Sequence, residues 1–336
     1  VAIPIAERGP VNPSTFAQDV VPNYQPIVLR GQVTNWPAVA AGKQGASAMA
    51  AYIAQFDQGL PTDIMIGQPD MMGRFFYAPD YRGFNFERRQ APLATLLQEL
   101  LRLIDAPVPP ALYAGAGAAP DLLPGWEAAN PLPLPTPGAT PRIWIGNATQ
   151  VATHYDVSSN IACVVAGTRT FTLFPPTQIG NLYVGPLETT LAGQPTSMVD
   201  PLAPDLVRYP RFAEAAKHAL TAVLGPGDAI YIPSLWWHHV QAHAPFNVLL
   251  NYWWGMRDDV APFPALIHAL LCIRDVDRAE RDVWKAWFDH YIFGDGADSV
   301  ADHLPEHARG VLGKPSLERT QLMREYLVRA LGRRQN

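Results

Sequence analysis

Cysteine is almost missing from this chain. Its 336 residues hold two, Cys163 and Cys272, far apart and outside any CxxC pattern. They read as buried small apolar side chains in a reducing compartment, not as a disulfide or a nucleophile. Charge is scarce as well, at 16% of residues with a net value of −5, so there is no global basic signature for nucleic acid. Long apolar runs are absent, because Pro, Gly or a charge interrupts each one before bilayer length. Val1 to Pro10 lacks the basic-then-apolar layout of a secretory signal, and a cytoplasmic protein without membrane contact is expected. Histidine does not occur in the first 153 residues, and all nine fall at or after His154. What the chain does have is apolar content of 48%, enough for a large core, which excludes a disordered polymer.

Residues 1–106 read as a mixed α/β part. Pro26 to Gly31 forms a short strand, and Asp63 to Gly67 and Arg74 to Tyr77 form two more. Ser47 is placed as the cap of a helix running to about Phe56, with Met49, Tyr52, Ile53 and Phe56 on one side. Leu93, Leu96, Leu97, Leu100, Leu101 and Ile104 recur at helical spacing after Pro92 and read as core packing.

Residues 107–257 form the central part. From 107 to 141 the chain is rich in Pro, Gly and Ala. Apart from a strand at Ala111 to Ala114 it reads as loop, of a length often used for a lid or a binding element. Consecutive strands are expected at Arg142 to Gly146, around His154, at Asn160 to Val165 and at Thr170 to Phe174, with a turn at Gly167. Phe212 to Val223 is the best helical candidate in an otherwise loop-like stretch from 177. After the turn Gly225-Pro226-Gly227-Asp228, strands follow at Ala229 to Pro233 and Asn247 to Trp254. Short strands joined by Gly/Pro turns point to a β-sandwich or barrel. Residues 258–336 change character and become helical at Ala265 to Ile273, Glu280 to Tyr291 and Leu317 to Leu331, with Ser316 as an N-cap. Met323, Tyr326, Leu327, Ala330 and Leu331 make an apolar stripe on the last helix. That stripe must be covered by the chain's own domain or by a second copy.

The residues that carry chemistry are His154 and Asp156, two apart on an expected strand and so directed to one face. A histidine from His238-His239, brought alongside by sheet pairing, would complete two imidazoles and a carboxylate. This set covers one face of an octahedral ion, the ligand arrangement of non-haem Fe(II) oxygenases. Alternation along a strand allows only one of His238 and His239 to reach the ion. The remaining histidines, among them His218, His268, His290, His303 and His307, sit in helical or charged stretches and read as surface or packing residues.

The segment from Trp144 to Trp254 resembles the JmjC and cupin-like 2-oxoglutarate oxygenases, particularly the asparaginyl-hydroxylase branch and its bacterial relatives. The matching residues are His154-Tyr155-Asp156, Asn160, Leu173-Phe174-Pro175-Pro176, Gly225-Pro226-Gly227-Asp228, Tyr231-Ile232-Pro233, Trp236-Trp237-His238-His239 and Asn251-Tyr252-Trp253. The resemblance implies a mainly β protein with flanking helices, a double-stranded β-helix (cupin or jelly-roll) core followed by a helical segment that pairs two copies. It implies Fe(II) on His154, Asp156 and His238, with 2-oxoglutarate as co-substrate. Arg169 would hold the far carboxylate of the co-substrate, where close relatives use Lys, and Asn160 and Asn251 would line its pocket. Val151 stands where a Thr hydroxyl is usual, so Thr153 or Tyr113 would have to replace that bond.

The chemistry implied is decarboxylation of 2-oxoglutarate to succinate with hydroxylation of a C–H bond. On an N-methyl group the same chemistry gives demethylation. The substrate is open among a protein side chain, a tRNA base and a small molecule. Two further readings are a metal-binding cupin without oxygenase activity, such as a zinc isomerase or a sugar binder, and a non-catalytic interaction protein with a vestigial triad. No obvious extra His or Glu ligand supports the first, and the complete triad argues against the second.

Overall fold

The computed structural model describes residues 2–191, 193–255 and 262–332. The chain forms two compact units, 1–256 and 257–336; the boundary expected between 257 and 258 falls outside the described residues.

Eight strands build the centre of the first unit: β1 (Arg142–Gly146), β2 (Gln150–His154), β3 (Ser159–Ala166), β4 (Arg169–Phe174), β5 (Leu220–Leu224), β6 (Ala229–Ile232), β7 (Trp237–Ala242) and β8 (Asn247–Trp254). They divide into two sheets with the orders β5-β4-β7-β2 and β6-β3-β8-β1, all neighbours antiparallel. Two four-stranded antiparallel sheets of this kind are a jelly roll. Flanking segments widen both. Ile3–Pro4 and Arg74–Phe75 lie on the outer edges of the first sheet, while Ala6–Arg8, Ile27–Leu29, Ala111–Ala118, Pro61–Gly67 and Phe86–Pro92 extend the second to nine strands.

Alternation along β3 shows how the layers are held. Ala162 and Val164 point between the sheets and meet Phe171, Leu173, Ile230 and Leu249. Ile161, Cys163 and Val165 point the other way, into a larger core with Met49 and Ile53 of the helix Ala46–Ala54 and Leu93, Leu96, Leu97 and Leu100 of the helix Leu93–Arg102. A strand covered on both faces reads as an unbroken apolar run, which residues 161–166 are.

Several expectations change in the structure. Gly167 does not close a hairpin, because β3 and β4 belong to different sheets. It takes the chain across the sandwich at φ +74°, and a side chain there would collide with Asn247 and the Phe246 carbonyl. Residues 119–130 are not loop or lid, since Ala119–Leu122 and Trp126–Ala129 are short helices that bury Leu123 and Trp126 completely. The expected helix from Phe212 stops at Lys217, and Leu220–Leu224 is strand β5. Gly45, not Ser47, sits at the start of the helix Ala46–Ala54.

The second unit holds the helices Pro262–Cys272, Arg278–Phe288 and Leu317–Gly332. Ser316 caps the last of these by accepting the Arg319 amide at 3.0 Å. Cys163 is buried as expected, whereas Cys272 is exposed. Among the described residues no helix is long and apolar enough to cross a membrane.

Candidate metal centre and co-substrate cavity

Sheet pairing places His154 on β2 directly opposite His238 on β7. Their ring centroids are 4.2 Å apart. Asp156 joins them by a different route from the one its spacing suggested. β2 ends at His154, so the carboxylate lies on the chain beyond the strand, where the Asp156 carbonyl accepts the Leu235 amide at 2.7 Å. That bond ties the segment after β2 to the turn before β7. Leu235 adopts a left-handed φ of +63° in doing so, a conformation that costs a non-glycine residue on the order of 1 kcal/mol or more.

The three side chains offer ligand atoms that lie within 4.8 Å of one another. Each histidine is oriented by its own backbone: Nδ1 of His154 is 2.8 Å from the Ala152 carbonyl, and Nδ1 of His238 is 3.0 Å from the Trp236 carbonyl. A carbonyl can only accept, so Nδ1 carries the proton and Nε2 presents its lone pair, as metal ligation requires. Oδ2 of Asp156 is 3.7 Å from Nε2 of His238 and accepts the indole N–H of Trp253 at 3.0 Å. Trp253, part of the matching Asn251-Tyr252-Trp253 motif, therefore orients the Asp156 carboxylate. Trp253→Phe is expected to weaken metal binding about 10- to 100-fold while the fold persists, as titration with Mn(II) or Fe(II) would measure.

Burial, reinforced by the neighbouring His154, pushes His238 down to about 4, so it is neutral at physiological pH. His239 points away from the cavity, is almost fully buried, and finds no partner for either ring nitrogen. Burial pushes it down to about 4 as well. An unfolded chain takes up these protons near 6.5, the fold only near 4. Between those values the unfolded state binds more protons, so stability is full above the window and falls as pH drops through it. The thermal midpoint of the metal-free protein is expected to decline from pH 7 to 4. His239→Leu, which removes a contribution on the order of 3 kcal/mol, should make the decline shallower.

The triad opens into a cavity of about 90 Å³ between the two sheets. Arg169, at the start of β4, reaches into it from a fully buried position, and its Nε and Nη2 have no partner among the described residues. Burial lowers the pKa of its guanidinium, and the Tyr113 hydroxyl beside it offsets part of that. Tyr113, Asn160 and Asn251 also line the cavity. Oδ1 of Asn160 is buried without a partner, while Oδ1 of Asn251 accepts the indole N–H of Trp144 at 2.8 Å.

Thr153 is a correction. Its side chain is buried but does not line the cavity, whereas Val151, Ala152 and His154 do; the pairing with β7 shifts register between His238 and Val240, so faces do not alternate strictly along this stretch. Val151 does line it, leaving Tyr113 as the hydroxyl beside Arg169.

Residues the sequence reading passed over complete the walls. Met65, Phe75 and Phe86 come from the N-terminal part, and Leu191, Gln194 and Thr196 come from the stretch between β4 and β5. Thr196 pairs with His154 in an isolated bridge, and its buried hydroxyl has no partner. No motif marked these positions, since neither the apolar residues nor the isolated Gln194 and Thr196 carry a signature in the sequence.

Comparison with known proteins agrees with this architecture. The model of the cupin-like domain matches residues 13–260. A human protein named bifunctional peptidase and (3S)-lysyl hydroxylase JMJD7 is 29% identical over 292 residues, covering 77% of this chain and 86% of that protein. Jumonji C domain-containing protein 5 of Drosophila melanogaster is 35% identical over 121 residues, or 35% of this chain and 29% of that one. The tRNA wybutosine-synthesizing protein 5 of Danio rerio is 35% identical over 105 residues, 31% and 29% respectively. This chain thus covers most of the human protein but under a third of the other two. With a jelly-roll core and a His-Asp-His cluster beside a buried arginine, the chain belongs to the cupin-like JmjC family and is a 2-oxoglutarate-dependent oxygenase.

Proposed function

We propose that His154, Asp156 and His238 hold Fe(II), that 2-oxoglutarate binds beside it, and that the enzyme hydroxylates a C–H bond of a polypeptide. The observation that carries this reading is one cavity with two imidazoles and a carboxylate at one end and, in its wall, a buried guanidinium whose Nε and Nη2 have no partner among the described residues. Burying an uncompensated cation costs several kcal/mol, so Arg169 fits an anionic ligand that reaches it. A dicarboxylate with a 2-oxo group at its other end matches both features.

When bound, Fe(II) and 2-oxoglutarate activate O2 and deliver one of its oxygen atoms to the substrate carbon, with succinate and CO2 as co-products. The chain's own residues bind and orient. Arg169 presents a planar fork that can grip the far carboxylate through two parallel bonds, which a lysine cannot do. Tyr113 adds a hydroxyl, and Asn160 and Asn251 carry side-chain NH2 donors, that of Asn251 oriented by the bond from Trp144 to its carbonyl. Phe171, Val240, Ile232 and Leu249 keep the co-substrate end dry.

A polypeptide substrate is favoured over RNA by the net charge of −5, which repels a polyanion. The human relative that this chain largely covers is named a lysyl hydroxylase. If the target carbon is an N-methyl group, release of formaldehyde would mark the reaction as demethylation. We read 258–336 as a dimerisation segment, supported by Tyr326, Leu327 and Leu331 standing exposed on the last helix. A cytoplasmic location is part of the same reading, supported by two free cysteines.

The test is turnover of 2-oxoglutarate to succinate in air. It should require Fe(II), stop on chelation and resume when Fe(II) is restored. Tight metal binding with no turnover would favour a cupin of other chemistry.

A further inference from the structure

A second concavity, of about 600 Å³, lies on the surface beside the first. Its lining carries two arginines, Arg208 and Arg211, three tyrosines (Tyr81, Tyr183 and Tyr209), and no Asp or Glu. In a chain of net charge −5 this is a local reversal of sign.

Both guanidinium groups are held in place by uncharged neighbours. Arg211 lies over the Tyr183 ring at 4.3 Å and donates from Nε to the Gly180 carbonyl at 2.9 Å. Arg208 lies over the Tyr209 ring at 5.2 Å and donates from Nη2 to the Tyr81 hydroxyl at 2.6 Å. Asp205 lies near enough to offset part of the Arg208 charge, and its Oδ1 also accepts the Val207 and Arg208 amides at 3.1 and 3.0 Å. Stacking on aromatic rings lowers the entropy an arginine must lose to bind, and the remaining N–H groups suit carboxylates. Ile179, Val184, Pro186 and Met198 supply apolar floor between the charges.

The groove and the metal cavity share a wall. Gly185 donates its amide to the Thr196 carbonyl at 2.8 Å, and Met198 donates to Tyr183 at 2.9 Å, so 183–185 runs beside 196–198. Thr196 lines the metal cavity, whereas Tyr183, Val184, Gly185 and Met198 line the groove. A ligand lying in the groove is therefore one strand pair away from the reacting centre.

We propose that this groove docks an acidic segment of the polypeptide substrate, with carboxylates on Arg208 and Arg211 and apolar side chains between them, flanking the residue that enters the metal cavity. The proposal rests on the polypeptide reading given above. Two fixed cations suit two carboxylates. A nucleic-acid strand would need a longer row of cations to offset repulsion by the rest of the chain.

The experiment is fluorescence anisotropy on the full chain with three labelled probes: a decapeptide alternating Glu and Leu, its Lys and Leu counterpart, and a ten-nucleotide oligouridylate. Saturable binding of the acidic peptide alone, weakened at least tenfold by Arg208→Glu with Arg211→Glu, is the expected result. Arg208→Glu alone tests the exposed position should the double variant fold poorly, and should weaken binding at least threefold. No saturation with the acidic peptide, equal affinity in the variants, or preference for oligouridylate would each overturn the proposal. Binding is read without turnover, and Fe(II)-dependent succinate release without substrate should be equal in wild type and variants. Loss of docking and loss of the oxygenase reading are therefore separate outcomes.

Discussion

His154→Ala is expected to cut 2-oxoglutarate turnover by about a thousandfold or more and to weaken metal binding by about two orders of magnitude or more, with the fold intact. The proposed site has three protein ligands, and removing one would leave a two-point chelate whose ion is easily lost. His154 is only half buried, and its strand is paired through the backbone to β7, so the truncation opens no core cavity. Its thermal midpoint in the absence of metal should stay within a few degrees of wild type. The stabilisation that Fe(II) gives wild type should disappear, because a ligand stabilises only in proportion to its binding of the folded state. Retained turnover in this variant would end the reading of the triad as the metal centre.

Arg169→Met should produce two effects of opposite sign. Affinity for 2-oxoglutarate, measured calorimetrically with Mn(II) in the site, is expected to fall about a hundred- to a thousandfold, the usual cost of removing one partner of a buried charge pair. The protein without co-substrate should become more stable, because a fully buried cation lacking partners at Nε and Nη2 is replaced by an apolar chain of similar length. Arg169→Lys should retain part of the affinity while losing the bidentate grip. A Met variant that binds the co-substrate normally would show that the anion is held elsewhere.

Much of the centre was legible in the chain because it rests on strong local signals. Gly225-Pro226-Gly227-Asp228 is a turn in any context, and here Asp228 also accepts from the Gly225 and Gly31 amides and from Arg30. The strand after it and the paired aromatics before His238 follow directly. What the spacing of His154 and Asp156 could not convey is that the carboxylate arrives by a bond to Leu235, a contact with no sequence signal. Leu220–Leu224 was misread because its residues are tolerated in helices. Pairing with β4 on one side and with Ile3–Pro4 on the other overrides that weak preference. Trp126 was hidden among prolines and glycines, where composition says loop. It packs against Tyr52 of the helix Ala46–Ala54 and Phe56 just after it, far earlier in the chain. Cys272 shows the converse, an apolar-looking helix whose cysteine faces outward.

The pairing of His154 with His238 across β2 and β7 also sets an order of events during biosynthesis. One imidazole emerges from the ribosome long before the other, because strands β3 to β6 are synthesised between them. Contacts so distant along the chain form late, so no completed coordination site exists to guide the growing polypeptide. The three candidate ligands come together only once β7 has paired with β2.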